Sequence, residues 1–327
     1  MKMTNLKFID LFAGIGGFRL ALEEFGGECV FSSEWDKYAQ ETYKENFGET
    51  PFGDITKLED KEIDSTIPEH DILCGGFPCQ AFSVSGKQRG FDDTRGTLFF
   101  DVVRIIKAKS PKVLFLENVK NLEKHNKGET FNIIMDSLDK LGYNAFAKVL
   151  NASNFGAPTT RERIYFVCFR KDLGINSFTF PTGTFKKVYL KDYLEDENTS
   201  QYEIIRDDIK FYKEDKKTLK TEPIQIGKIN KGGQGERIYS IYGHAITLSA
   251  HGGGAAAKTG AYLVDGKVRK LTPRECARIM GFPEDFKIVV QDNQAFKQFG
   301  NSVAIPVLKS ITKEILSTLK LTNKLIP

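Results

Sequence analysis

Cysteine is scarce and badly placed for cross-linking: the five present, Cys29, Cys74, Cys79, Cys168 and Cys276, are scattered and form no C-x-x-C pair. This argues against both a disulfide framework and a zinc site, and leaves only reactive-thiol chemistry open. Long apolar runs are also missing. No stretch reads as a transmembrane helix, and the apolar N-terminus is broken at Asp10 before a signal-peptide core can form, so a cytoplasmic protein is expected. Nor is there an excess of one charge. Lys and Arg number 47 against 43 Asp and Glu, a net +4, short of the strongly basic balance that by itself announces a nucleic-acid binder.

At 327 residues the chain can bury a substantial core and divide into two lobes. The most informative stretch is Asp71–Ser83, DILCGGFPCQAFS. Asp-Ile-Leu-Cys reads as a short buried strand that Gly75-Gly76-Phe77-Pro78 ends, because glycine frees φ and proline removes a donor. Cys79 then sits in a loop at the carboxyl edge of an α/β sheet, where ligands and reacting groups gather. Most cysteines are small buried hydrophobes; its setting among Gly, Pro, Gln80 and Ser83 favours a substrate-facing nucleophile.

Other strands deliver residues to the same edge. FIDLF reads as a strand over Phe8–Phe12, followed by the turn Ala13-Gly14-Ile15-Gly16-Gly17 and a helix, a βα unit whose glycines allow a nucleotide-like ligand to approach. Its spacing is G-x-G-G, so the dinucleotide fingerprint G-x-G-x-x-G is absent. The strand Cys29–Ser32 places Glu34 to bond ribose hydroxyls and Trp35 to lie against a purine; Asp54 stands where a third loop reaches the adenine. The glycine-broken stretch 84–96 has the makings of a lid, and a helix follows over Thr97–Lys109. Strand Val113–Leu116 is expected to carry Glu117 just past its end, where a partly desolvated carboxyl has a raised pKa and can offer a proton. Arg161 and Arg163 precede the strand Ile164–Phe169, on one side of the chain.

From about Lys187 the character changes. Seven lysines against three acids lie between Lys210 and Lys231, and ten of the 29 glycines between Gly227 and Gly266. So many glycines suit a second, smaller lobe whose main chain approaches another macromolecule. On charge alone the lysines read either as a phosphate contact or as a solvated face. Thr272-Pro273-Arg274-Glu275 restarts helix with an N-cap, a first-turn proline and a capping-box acid, ending at Gly281. A last helix over Val303–Leu319 returns to the first lobe, with Gly300-Asn301-Ser302 at its start. The expectation is an α/β doubly wound sheet over residues 1–187, a glycine-rich lobe over 188–272, and a hinge and returning helix over 273–327.

Taken together, DLFAGIGGF, Glu34-Trp35, Asp54, GGFPCQAFS, RGTLF, ENV, RER, RKLTPRECARIMGFP and GNSVAIPV resemble, in order, the motifs of the bacterial DNA cytosine-C5 methyltransferases of restriction–modification systems. The resemblance spans Phe8 to Val303 and departs from the family at Thr159, where glutamine is usual. It implies a Rossmann-like, S-adenosylmethionine-dependent fold with a target-recognition lobe. It also implies cofactor contacts from Phe12, Ala13, Gly14, Ile15, Gly16, Gly17, Glu34, Trp35, Asp54, Ile55, Pro78, Leu98, Asn301 and Ser302. Cys79 is then the nucleophile toward cytosine C6, Glu117 acts at N3 and Arg163 holds the O2 carbonyl, with Arg161 counted as a further catalytic residue. No metal is implied. Double-stranded DNA is the partner of a monomer, contacted by Ser85, Lys87, Gln234, Arg237, His251, Gly252 and Gly253. KGGQGERIYS and the triple glycine further resemble enzymes modifying the inner cytosine of GCGC, with Arg237 reading guanine. An RNA cytosine methyltransferase, a catalytically silent DNA-binding protein and a nicotinamide oxidoreductase are the alternatives.

Overall fold

The computed structural model describes residues 6–77, 98–212 and 214–321. In chain order the first lobe contains β1 (Lys7–Leu11), α1 (Gly17–Glu23), β2 (Glu28–Ser33), α2 (Lys37–Phe47), α3 (Ile63–Thr66), β3 (Ile72–Gly76), α4 (Leu98–Lys109), β4 (Val113–Val119), α5 (Glu129–Lys140), β5 (Tyr143–Asn151) and β6 (Glu162–Arg170). The strands form one sheet in the order β2-β1-β3-β4-β6-β5. β2, β1, β3 and β4 run parallel, with the switch in winding direction between β1 and β3; β6 runs antiparallel to both its neighbours.

Side-chain alternation explains why both faces are covered. Phe8, Cys74, Phe115 and Val167 point to one side, where α1 supplies Phe18 and Leu22. Ile9, Leu73, Leu114 and Phe166 point to the other, where α4 supplies Val102 and Ile106 and α5 supplies Ile134 and Leu138. Strands buried on both faces read as continuous apolar runs, and β4 is such a run through Leu116.

The second sheet has the order β11-β10-β9-β8-β7, built from β7 (Lys210–Phe211), β8 (Ile224–Lys228), β9 (Arg237–Ser240), β10 (Ala261–Val264) and β11 (Lys267–Lys270). Its core is small, centred on Ile226, Ile229, Ile238 and Val268. The two sheets are laced together by main chain: the Ala245 N–H donates to the Pro158 carbonyl at 2.7 Å and the Thr160 N–H to the Ala245 carbonyl at 3.2 Å. Thr159, where the family pattern is broken, is fully buried in this seam and donates its hydroxyl to the Ile246 carbonyl.

Three helices follow, α6 (Pro273–Met280), α7 (Asp292–Asn301) and α8 (Ile305–Leu321). α6 has the expected capping box between Thr272 and Glu275 and a left-handed Gly281 at its end. α8 lies on the first lobe beside α1, adding Val307, Ile311 and Ile315 to that core.

Three expectations need correction, and two further elements are present. β4 runs on to Val119, so Glu117 and Asn118 are within the ladder; β6 begins at Glu162 and includes Arg163. The edge strand β5 and helix α7 were not foreseen, the former because its residues are mostly half-exposed and lack strict alternation. Residues 300–302 close α7, with Ser302 as its C-cap, and do not open α8. Among the described residues no helix is long and apolar enough to cross a membrane, and no three His, Cys, Asp or Glu side chains converge as a metal site.

Candidate active site and DNA-facing loops

The parallel register aligns the carboxyl ends of the first-lobe strands: Leu11 is level with Ser33 and with Gly75, and Gly76 is level with Glu117. Each strand therefore releases its next residues onto one edge, on either side of the switch point.

At β1 and β2 the edge forms a nucleoside-sized cleft. Glu34 is buried, and its carboxylate accepts the Gly14 N–H and the Asp36 N–H, both at 2.8 Å. Burial raises its pKa, and the two amides work against that rise. The glycine turn is shaped by Gly16, at φ 86°, where a Cβ would lie 2.2 Å from the Phe47 ring. Phe12 is itself left-handed, at φ 57°. A cavity of about 190 Å³ opens here, lined by Phe12, Ser33, Glu34, Trp35, Gly53, Asp54, Ile55, Thr56 and Leu98. The indole of Trp35 is 71% exposed and so is available for stacking. Asp54 spends one carboxylate oxygen on the Thr56 N–H and hydroxyl, capping the turn that presents Ile55. Ser302 comes to the same place from α7, its Oγ 3.3 Å from where a Gly17 Cβ would stand. Asn301 is exposed. Apolar walls, an accessible aromatic plane and a carboxylate with spare lone pairs fit an adenosyl group.

At β3 and β4 the edge carries acid and guanidinium. Glu117 is buried, its pKa raised by desolvation, which the nearby Arg163 and Arg161 oppose. Arg163 Nε lies 3.2 Å from Glu117 Oε1, yet among the described residues that oxygen has no aligned hydrogen bond. Asn118 donates its amide to the Phe77 carbonyl at 2.8 Å, fixing the chain where it leaves β3. That holding role was missed, although Asn118 was in plain view beside Glu117. Pro78, Cys79, Ser85 and Lys87 lie outside the described residues.

Arg161 does something else. Its guanidinium is buried and donates to the carbonyls of Leu248, Gly300 and Ser302, binding the first lobe, the Leu248 segment and α7 into one seam. Asp10 was not singled out either: it is fully buried in β1, neither carboxylate oxygen has a hydrogen-bond partner among the described residues, and burial pushes its pKa up to about 8. An acid inside the apolar run FIDLF was the available signal.

The second lobe offers main chain. Gly235 packs so closely on the 252–254 turn that a Cβ there would be 2.0 Å from the Gly253 carbonyl oxygen. The Ala256 N–H donates to the Gly235 carbonyl at 2.9 Å, locking the two loops. Between them is a cavity of about 220 Å³ lined by Gln234, Gly235, Ile246, Thr247, Ser249, His251, Gly252, Gly253 and the 256–260 turn. Gln234, His251, Gly252, Gly253 and Arg237 are exposed. A larger open hollow of about 350 Å³ lies over β5 and α5, at the opposite edge of the first sheet, and has no part in this arrangement.

The profile of the C-5 cytosine-specific DNA methylases matches residues 6–317. The chain belongs to that family. The methyltransferase is 55% identical over 319 residues to the type II methyltransferase M.HhaI of Haemophilus parahaemolyticus, covering 97% of this chain and 96% of that one. To M.HpaII of Haemophilus parainfluenzae it is 45% identical over 330 residues, covering 95% and 89%. Among solved structures, the Dnmt2 methyltransferase of S. pombe superposes with a TM-score of 0.73 at 21% identity, covering 98% of this chain and all of that one. A putative DNA modification methyltransferase encoded within an E. coli prophage gives 0.71 at 23%, covering 97% and 100%. The latter two carry the fold; family and close relatives carry the activity, DNA cytosine-5 methyl transfer of the type II restriction–modification kind. The expected fold class and enzyme class are thereby borne out.

Proposed function

We propose that the methyltransferase modifies a cytosine turned out of duplex DNA, through a transient bond from Cys79 to C6, and that its target is the inner cytosine of GCGC. The observation that carries the mechanism is Glu117: a buried carboxyl with raised pKa and an unfilled oxygen, level with Gly76 and so three residues before Cys79, on a chain pinned at Phe77 by Asn118.

Cytosine C5 is a poor nucleophile. As the Cys79 thiolate forms its bond to C6, Glu117 gives a proton to N3 and Arg163 holds the O2 carbonyl, so the displaced electron pair makes C5 enamine-like. S-adenosylmethionine supplies the electrophilic methyl, with Phe12, Glu34, Trp35, Asp54, Ile55 and Leu98 as the residues that would hold it. After transfer the C5 proton passes to solvent, its electron pair restores the C5–C6 double bond as the S–C6 bond breaks and frees the Cys79 thiolate, and Glu117 takes back its proton from N3. A free thiol titrates near ~8.5, so the loop must activate Cys79. Turning the base out costs roughly a few kcal/mol. Arg161 acts by positioning, through its three carbonyls, and the residues 234–237 and 251–253 contact DNA as a recognition lobe on a monomer.

Incubation with duplex carrying 5-fluorocytosine at the target is expected to leave a denaturant-resistant protein–DNA species, absent in Cys79→Ser although that variant still binds DNA; turnover by Cys79→Ser overturns the mechanism. Bisulfite sequencing of treated plasmid should show GCGC alone, and methyl transfer to tRNA in preference to plasmid would point to an RNA enzyme instead.

A further inference from the structure

The lysine excess between Lys210 and Lys231 has no part in the site described above. Some of it is in register: Lys210 lies directly opposite Lys228, and Lys228 directly opposite Arg237. Directly opposed residues of antiparallel strands project from one face of a sheet. Here that is the outer face, since Ile238, next to Arg237, turns into the small core. Lys210 and Arg237 are exposed and Lys228 is half-buried. Three cations thus form a row across β7, β8 and β9.

Like charges in opposed positions repel and destabilise a sheet. Among the described residues no carboxylate pairs with any of the three. Neighbouring acids are engaged elsewhere: Glu236 accepts the Gly233 N–H and the Asn230 amide, both at 3.0 Å, and Asp208 pairs with Arg206 at 2.7 Å. The repulsion is therefore left for an external anion to offset. The row also has a direction. It starts at Arg237, one turn from Gln234 and Gly235 in the recognition cavity, and with strands about 4.8 Å apart it reaches roughly 10 Å further at Lys210, on the order of three base steps of duplex.

We propose that Lys228 and Lys210 extend the DNA interface beyond Arg237 and grip backbone phosphates of the duplex flanking the recognition sequence. The proposal rests on the DNA-contact reading of the recognition loops. Phosphate contacts of this kind add affinity without sequence information and release counterions.

The test is K210Q/K228Q in the full chain, with binding measured against salt on a 30-bp duplex centred on GCGC and on a duplex ending one base pair beyond it. On the long duplex the slope of log affinity against log salt should fall by about two, and affinity at 0.15 M salt by roughly ten- to thirtyfold. On the short duplex, wild type and variant should coincide, and the melting temperature should not drop, because a repulsion has been removed. An unchanged salt slope on the long duplex overturns the proposal, as does an equal loss on both lengths. Failure of the recognition reading would look different: wild type itself would show no preference for GCGC over scrambled duplex.

Discussion

The two sheets make their sites in opposite ways. The first is thick, covered on both faces, and sets its chemistry with side chains: Glu34, Asp10 and Glu117 are carboxyls drawn out of water at or near one strand edge, and burial raises the pKa of each. The second has a small core and sets its shape by leaving side chains out, so that the Gly235 backbone can meet the Gly253 carbonyl. On the proposed function the contrast is a division of labour. Proton chemistry needs a low-dielectric wall, which takes a large core to build. Contact with a macromolecule needs main chain within reach of it, which costs conformational entropy and little else.

The sharpest way to break this contrast is at Glu117. Replacing it by Gln removes the transferable proton while keeping the shape, and methyl transfer should fall roughly a hundred- to ten-thousandfold with DNA binding retained, as read by single-turnover kinetics. A rate within a fewfold of wild type would mean the sheet edge is not where the chemistry is set. The matching test in the second lobe is Gly235→Ala. Its Cβ has no room beside the Gly253 oxygen, and displacement should cost about 1–3 kcal/mol, seen as tenfold or more weaker GCGC binding with cofactor affinity untouched.

A subtler probe is Asp10. Its native pKa, about 8, is raised above the ordinary 3.8, so the native chain keeps a proton that the unfolded chain gives up. Its contribution to stability is thus full below the ordinary carboxyl range and is lost progressively as pH rises to about 8. Asp10→Asn should flatten that decline, with melting temperature against pH as the measurement. The smallest effect is expected at the start of α6: Thr272→Ala removes the capping bond to the Glu275 N–H and should cost about 1 kcal/mol in urea unfolding, without changing either lobe's ligand affinity.

Much of this was legible beforehand for reasons that can be named. β3 is a short apolar run that ends in glycine, β4 opens with the apolar run Val113–Leu116 before its acid, and β1 leads into a glycine turn, so the positions of these strands could be read directly. The capping box at Thr272 and the stop at Gly281 are local signals that need no tertiary context. β5 escaped because an edge strand with half-exposed residues has no clean period. α7 escaped because DNQAFKQFGN, with a glycine near its end, looks like loop until Phe296 and Phe299 find a core.

Sequence alone determined which residue types stand at the ends of the parallel strands, because hydrophobic burial and turn chemistry act within a few residues. The antiparallel insertion of β6 was decided only in three dimensions. Arg163 lies at the start of its strand and Glu117 near the end of its own; in an all-parallel sheet they would be at opposite edges, and reversal of one strand brings Arg163 level with Val119, beside the acid. Arg161 shows the same limit: two residues away, it is turned to the carbonyls of Leu248, Gly300 and Ser302, partners as many as 141 positions distant in the chain, which no local pattern encodes.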